Sequence, residues 1–132
     1  MSHDFLKNFR PIIDEDTFEV SLIRSEDEIQ ILELDNTLVS CHAPWSGPSL
    51  HVGKYMLSEL SRANIEKIRL LILDIDSLSI EMQKKLFNTG GNHGYFESCW
   101  IEKGQIVKAY RYKYELEPLL SLIISRMKKR GC

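Results

Sequence analysis

The stretch Ile68-Arg69-Leu70-Leu71-Ile72-Leu73-Asp74-Ile75 constrains the fold of this chain more than any other. It is too continuously apolar to lie on a surface, and it predicts a central strand buried on both faces. The neighbouring segments predict what surrounds such a strand. Phe18-Glu19-Val20-Ser21-Leu22-Ile23-Arg24 alternates apolar and polar residues for most of its length, and Thr37 to His42 is another apolar run, so both predict strands. His3 to Ile13 carries Phe5, Leu6, Phe9, Ile12 and Ile13 at near-helical spacing, which predicts a short N-terminal helix. Ser25 with Glu28 forms a capping-box pattern, and with Ile29, Ile31, Leu32 and Leu34 behind it a helix is predicted up to Asp35-Asn36.

Helical spacing returns from Ser49 through Val52, Tyr55, Met56, Leu60 and Ala63, and again from Ser79 to Asn88, where Thr89-Gly90-Gly91 stops it. Tyr95 to Ile101 and Gln105 to Tyr112 flank Glu102-Lys103-Gly104, a hairpin signal, and a last helix is predicted from Glu115 to Lys128. Lys128, Lys129 and Arg130 at its end match the helix dipole and read as a solvated terminus.

The chain of 132 residues predicts a single domain, 1–132, with 1–16 as an N-terminal helical extension and 17–132 as the core. A net charge of −2 gives no electrostatic reason to bind nucleic acid or an anionic membrane. No run is long enough for a membrane span, and Met1-Ser2-His3-Asp4 does not look like a secretory signal, so the expected location is cytoplasmic. The cysteines Cys41, Cys99 and Cys132 form no CxxC pair and no metal-ligand pattern; no metal and no cofactor is expected. Cys41 and Cys99 read as small buried hydrophobes and Cys132 as an exposed thiol. His42 and His93 read as partly exposed residues at strand ends.

At the junction between the strand ending at His42 and the helix that follows stands Trp45-Ser46-Gly47-Pro48-Ser49. Ser46 is placed to cap the helix, Pro48 falls in the first turn where its missing N–H matters little, and Gly47 permits close approach. This context resembles the thioredoxin family, whose redox site is Trp-Cys-Gly-Pro-Cys at the same junction. Leu71-Ile72-Leu73-Asp74-Ile75-Asp76 is similar to that family's third strand, and Ile101-Glu102-Lys103-Gly104-Gln105-Ile106-Val107 to its Phe-Lys-Asn-Gly hairpin. From Phe18 onward, the resemblance implies an α/β chain with the thioredoxin fold. It is three-layered, with a central mixed sheet of about five strands flanked by helices, plus an extra N-terminal helix here.

The departures from that pattern surround one site. Thiol–disulfide exchange needs a thiolate, and a serine hydroxyl can neither ionise near neutrality nor form a disulfide, so Ser46 and Ser49 leave no catalytic pair. Gly94-Tyr95-Phe96 stands where the resemblance puts Gly-Ile-Pro, so Phe96 replaces a cis-proline. A cis bond there would cost about 3 kcal/mol, and a trans peptide is expected. Ser40 stands where the family has a buried aspartate.

The resemblance therefore implies a redox-inactive, noncatalytic relative that binds protein, as a dedicated chaperone or assembly factor. Its binding surface would comprise Trp45, Gly47, Pro48, His93, Gly94, Tyr95 and Phe96, with residues 90–94 as an adaptable loop. Against this stands an arrangement in which Tyr95 and Phe96 pack inward and only Trp45 is exposed. The alternative function is a thiol–disulfide oxidoreductase, either acting through the single thiol of Cys41 or represented here by a double Cys-to-Ser variant of an active thioredoxin. A further alternative has the helix end at Ser46 holding an anionic ligand. The partner's identity and self-association stay open.

Overall fold

The computed structural model describes residues 6–88, 94–110 and 113–129. Eight elements carry the architecture: β1 (Phe18–Ile23), β2 (Thr37–His42), α1 (Gly47–Arg62), β3 (Ile68–Asp74), α2 (Ile80–Phe87), β4 (Ser98–Glu102), β5 (Gln105–Tyr110) and α3 (Lys113–Met127). The strands form one five-stranded sheet in the order β1-β3-β2-β4-β5. β3 runs parallel to both β1 and β2, whereas β4 is antiparallel to β2 and to β5. The α/β mixed sheet expected from the sequence is therefore present.

Side chains alternate across the pleat, and each face has its own core. Leu38, Leu70, Ile72 and Trp100 pack with Met56, Leu57 and Leu60 of α1 and with Leu119, Leu120 and Ile123 of α3. On the opposite face Val39, Cys41, Leu71, Leu73, Cys99 and Ile101 pack with Leu86 and Phe87 of α2 and with Ile29 and Leu34. This explains why β3 reads as continuously apolar. The middle position, however, belongs to β2, all six of whose residues are buried between β3 and β4.

Two expected helices are shorter structures. The segment after Ser25 forms two 3-10 turns, Glu26–Glu28 and Ile31–Glu33, although Ser25 still caps the first by accepting the Asp27 N–H. Its buried anchors are Ile29 and Leu34, five positions apart. An α-helix would turn them roughly 140° away from each other, so both cannot face the sheet in helical form. At the N-terminus a turn starting at Leu6 leads into the 3-10 turn Arg10–Ile12. Pro11 would remove a hydrogen bond and clash with the preceding turn of a continuous helix. Residues 3–5 of that expected helix lie outside the described residues, as do Gly90, Gly91, Asn92, His93 and Cys132. β4 begins at Ser98 rather than Tyr95, because residues 94–97 form a turn in which Gly94 and Phe96 both have positive φ.

Candidate functional site

β2 ends at His42, the chain turns through Ala43–Trp45, and Ser46 begins α1. Ser46 has extended backbone angles, and its Oγ accepts the Ser49 N–H at 3.2 Å, making it the helix N-cap. The same hydroxyl donates to the Gly94 carbonyl at 2.6 Å. It therefore ties the start of α1 to the turn before β4. Ser49 is fully buried, its Oγ accepting from the Ala43 N–H at 3.0 Å and lying 2.9 Å from His42 Nδ1.

His42 is buried rather than partly exposed, and the reason lies far back in the chain. Phe9 packs edge-on against its ring at 4.7 Å, and Phe96 lies 6.1 Å away. Burial pushes the His42 pKa down to about 4, so the imidazole is neutral at pH 7. With the Ser49 oxygen already taking the Ala43 N–H, its proton is available to Nδ1. A hydroxyl beside an imidazole has the components of an activated nucleophile, and here both groups are buried.

The turn before β4 is held as firmly. The Tyr95 N–H donates to Glu97 Oε1 at 3.2 Å, and the Tyr95 carbonyl accepts the Tyr110 hydroxyl at 3.0 Å. Burial and then the Glu97 carboxylate lead the causes that push the Tyr110 pKa up to about 12, which keeps its proton on as a donor. Phe96 has φ +60° with a trans peptide, and its ring enters the core against Phe9 and Gly53. Ser98 Oγ donates to the Phe96 carbonyl at 2.9 Å and pairs with Ser40 Oγ at 2.8 Å. Ser40 thus has a hydroxyl partner on the adjoining strand.

No family model and no curated protein matches this sequence. Solved structures do. A thioredoxin variant from Halobacterium salinarum is similar with a TM-score of 0.57 at 13% identity, over 89% of this chain and 96% of that one. Schistosoma mansoni thioredoxin gives 0.55 at 20% identity over 81% and 98%, and Plasmodium falciparum thioredoxin 0.55 at 17% identity over 76% and 96%.

This chain has the thioredoxin fold.

Within that fold the structure brings Trp45, Ser46, Gly47, Pro48, Gly94 and Tyr95 to one end of the sheet. Trp45 is 60% exposed and Tyr95 43% exposed, and Pro44, Gly47 and Pro48 are exposed beside them. Gly94, at φ +68°, is pressed between them: a Cβ there would come within 3.0 Å of the Trp45 ring and 3.1 Å of Ser46. Phe96 must be removed from the expected binding surface, because its positive φ turns the ring inward. The outcome lies between the two expected arrangements, with Tyr95 outside and Phe96 inside. His93 falls outside the described residues.

Cys41 is buried in the thioredoxin-fold core, as expected for a small hydrophobe. Burial, then the carboxylates of Glu97, Asp74 and Asp76, raise its pKa well above the ordinary thiol value. The single-thiol alternative at Cys41 thus has a buried sulfur whose surroundings favour the protonated form. Burial raises the buried Cys99 in the same direction. Reading the sequence missed Phe9, Glu97, Ser98 and Tyr110 as supports of the site. Only the hairpin register, which sets Ser98 opposite Tyr110, could have pointed to two of them.

Proposed function

We propose that this chain is a noncatalytic thioredoxin-like protein that works by binding another protein through the Trp45–Tyr95 surface, as a dedicated chaperone or assembly factor. One observation carries this reading: the hydroxyls of Ser46 and Ser49 are spent on internal hydrogen bonds while the aromatic rings beside them are left to solvent. A helix N-terminus capped by its own serine has no thiolate to stabilise, so the chemistry that the fold supports elsewhere has no sulfur to act on here. Exposed indole and phenol rings on a rigid turn offer large contact area at small entropy cost. Cytoplasmic residence accompanies the reading as an expectation from the sequence.

The test pairs two measurements on one preparation. An insulin-reduction assay is expected to give no turnover above the uncatalysed rate. Affinity capture from native lysate is expected to retain a specific partner, which Trp45→Ala loses while its thermal unfolding stays unchanged. Measurable disulfide reduction would overturn the proposal, as would capture indifferent to Trp45.

A further inference from the structure

The two edge strands of the sheet are finished differently. On β5 the register with β4 slips by one residue, leaving Val107 as an extra residue and the edge bulged. A bulge is one of the devices that keep an edge from pairing with a further strand. β1 has no such break and runs in unbroken register with β3 over its six residues. The Thr17 carbonyl accepts the Ile68 N–H at 2.9 Å, which sets the phase of that parallel ladder. Thr17, Glu19, Ser21 and Ile23 therefore turn their backbone groups to β3, and Phe18, Val20 and Leu22 turn theirs outward. The Phe18 N–H is taken by the Asp14 carbonyl at 2.8 Å. The Phe18 carbonyl, and the N–H and carbonyl of both Val20 and Leu22, have no hydrogen-bond partner among the described residues. Beside this edge runs an open groove of about 500 Å³. Glu19 lines it together with Phe18 and Val20, so side chains from both faces of the strand border it. Its apolar wall is Leu6, Ile13, Phe18 and Val20, which belong to the core under α1 and α3 or pack against it. Its charged rim is balanced, with Arg10 and Lys67 against Glu15 and Glu19.

We propose that the β1 edge takes an extended polypeptide strand, antiparallel to it, with bulky apolar side chains opposite Phe18 and Val20. The residue opposite Val20 exchanges two backbone hydrogen bonds with it, and the residue opposite Leu22 two more. Opposed residues of such a pair project to the same face, so side chains two positions apart in the incoming strand lie along the apolar wall. The balanced rim selects no charge. A second copy of β1 is the poorer occupant. Two-fold pairing sets Asp14-Glu15-Asp16 of each copy toward Glu26-Asp27-Glu28 of the other at both ends, with Arg10, Lys67 and Arg24 as the nearby cations. The groove lies at the N-terminal end of β1, whereas Trp45 follows the C-terminal end of β2, and both strands run parallel to β3. This is a second surface at the other end of the sheet, and it does not depend on the Trp45 reading.

The experiment uses the full chain and a fluorescent synthetic peptide in which two leucines stand two positions apart among threonines. Anisotropy reads the affinity, and amide hydrogen exchange reads the place. In the free protein the Val20 and Leu22 amides are expected to exchange faster than those of Ser21 and Ile23, and to slow on the order of tenfold when the peptide is bound. Alanine at both leucine positions should weaken binding on the order of tenfold, and added salt should change it little. N-methylation of the leucines, whose N–H groups face β1, should abolish binding, while N-methylation of the threonine between them should not. Val20→Pro removes an outward N–H on an edge strand, where proline is tolerated, and should abolish binding with thermal unfolding unchanged. If that variant does not fold, the methylated peptides decide. Trp45→Ala should leave peptide binding intact. Absence of binding, equal affinity for the alanine peptide, indifference to leucine methylation, or unchanged exchange at Val20 and Leu22 overturns the proposal. Slowing of those two amides with protein concentration alone gives the edge to a second copy and overturns it as well. None of these outcomes touches the Trp45 surface, which partner capture by Trp45→Ala judges separately.

Discussion

Trp45 and Ser46 are neighbours in the chain and opposites in the structure. Beneath the turn the hydroxyls of Ser46, Ser49, Ser40 and Ser98 and the His42 ring form a buried polar layer, each with an internal hydrogen-bond partner. The rim of Trp45, Pro48 and Tyr95 above it is open. The difference teaches that polarity at a helix N-terminus is not evidence of chemistry when every polar atom already has a partner. The proposed binding function rests on the apolar rim, not on the hydroxyls beneath it.

Substitutions in the two layers should separate cleanly. Phe96→Ala empties a buried ring site and should cost about 3–5 kcal/mol of stability in denaturant unfolding, tempered by relief at φ +60°. Binding per folded molecule should persist; loss of binding with little loss of stability would return Phe96 to the rim. The next effect is on pH. The His42 pKa lies below its unfolded value of about 6.5, so its contribution is fully present above that pH and is lost as pH falls toward about 4. Unfolding free energy should therefore drop by as much as about 3 kcal/mol across that window, and a His42→Gln variant should show a shallower slope. A flat profile would mean that Phe9 does not seal the imidazole.

Ser49→Ala removes only the hydroxyl, leaves the Ala43 N–H without its acceptor, and should cost about 2 kcal/mol. Were it neutral, the closed layer would not be a stabilising network. Smallest of all, Trp45→Ala should change stability by no more than about 0.5 kcal/mol, since the ring is mostly solvated. Its emission should also be readily quenched by iodide while that of Trp100 is not. A large destabilisation by Trp45→Ala would erase the distinction between the layers.

The sheet was legible in the sequence because burial on both faces writes itself as an unbroken apolar run at β3 and because Glu102-Lys103-Gly104 marks its own hairpin. The Trp45–Ser49 junction was legible for a similar reason: capping and first-turn chemistry are local. What stayed hidden depends on partners distant in the chain. The capping pattern at Ser25 starts a turn, but nothing local says that Ile29 and Leu34 must both reach the sheet while Leu32 is left 89% exposed. His42 reads as a strand-end residue until Phe9 arrives from the N-terminal segment to cover it. The direction of Phe96 was set by the sign of one dihedral in a turn that residue types alone do not specify.

That dihedral also bears on which substitutions this end of the molecule can accept. A proline is locked near φ of about −65°, whereas the backbone at Phe96 sits at +60°. Cysteine at positions 46 and 49 needs no change in the hand of the backbone, but proline at 96 would require the 94–97 turn to reverse its hand and the space held by the phenylalanine ring to be refilled. The handedness of a single residue thus separates two kinds of change at this end: a thiol can be introduced at the helix start with the backbone as it is, whereas a proline facing it cannot.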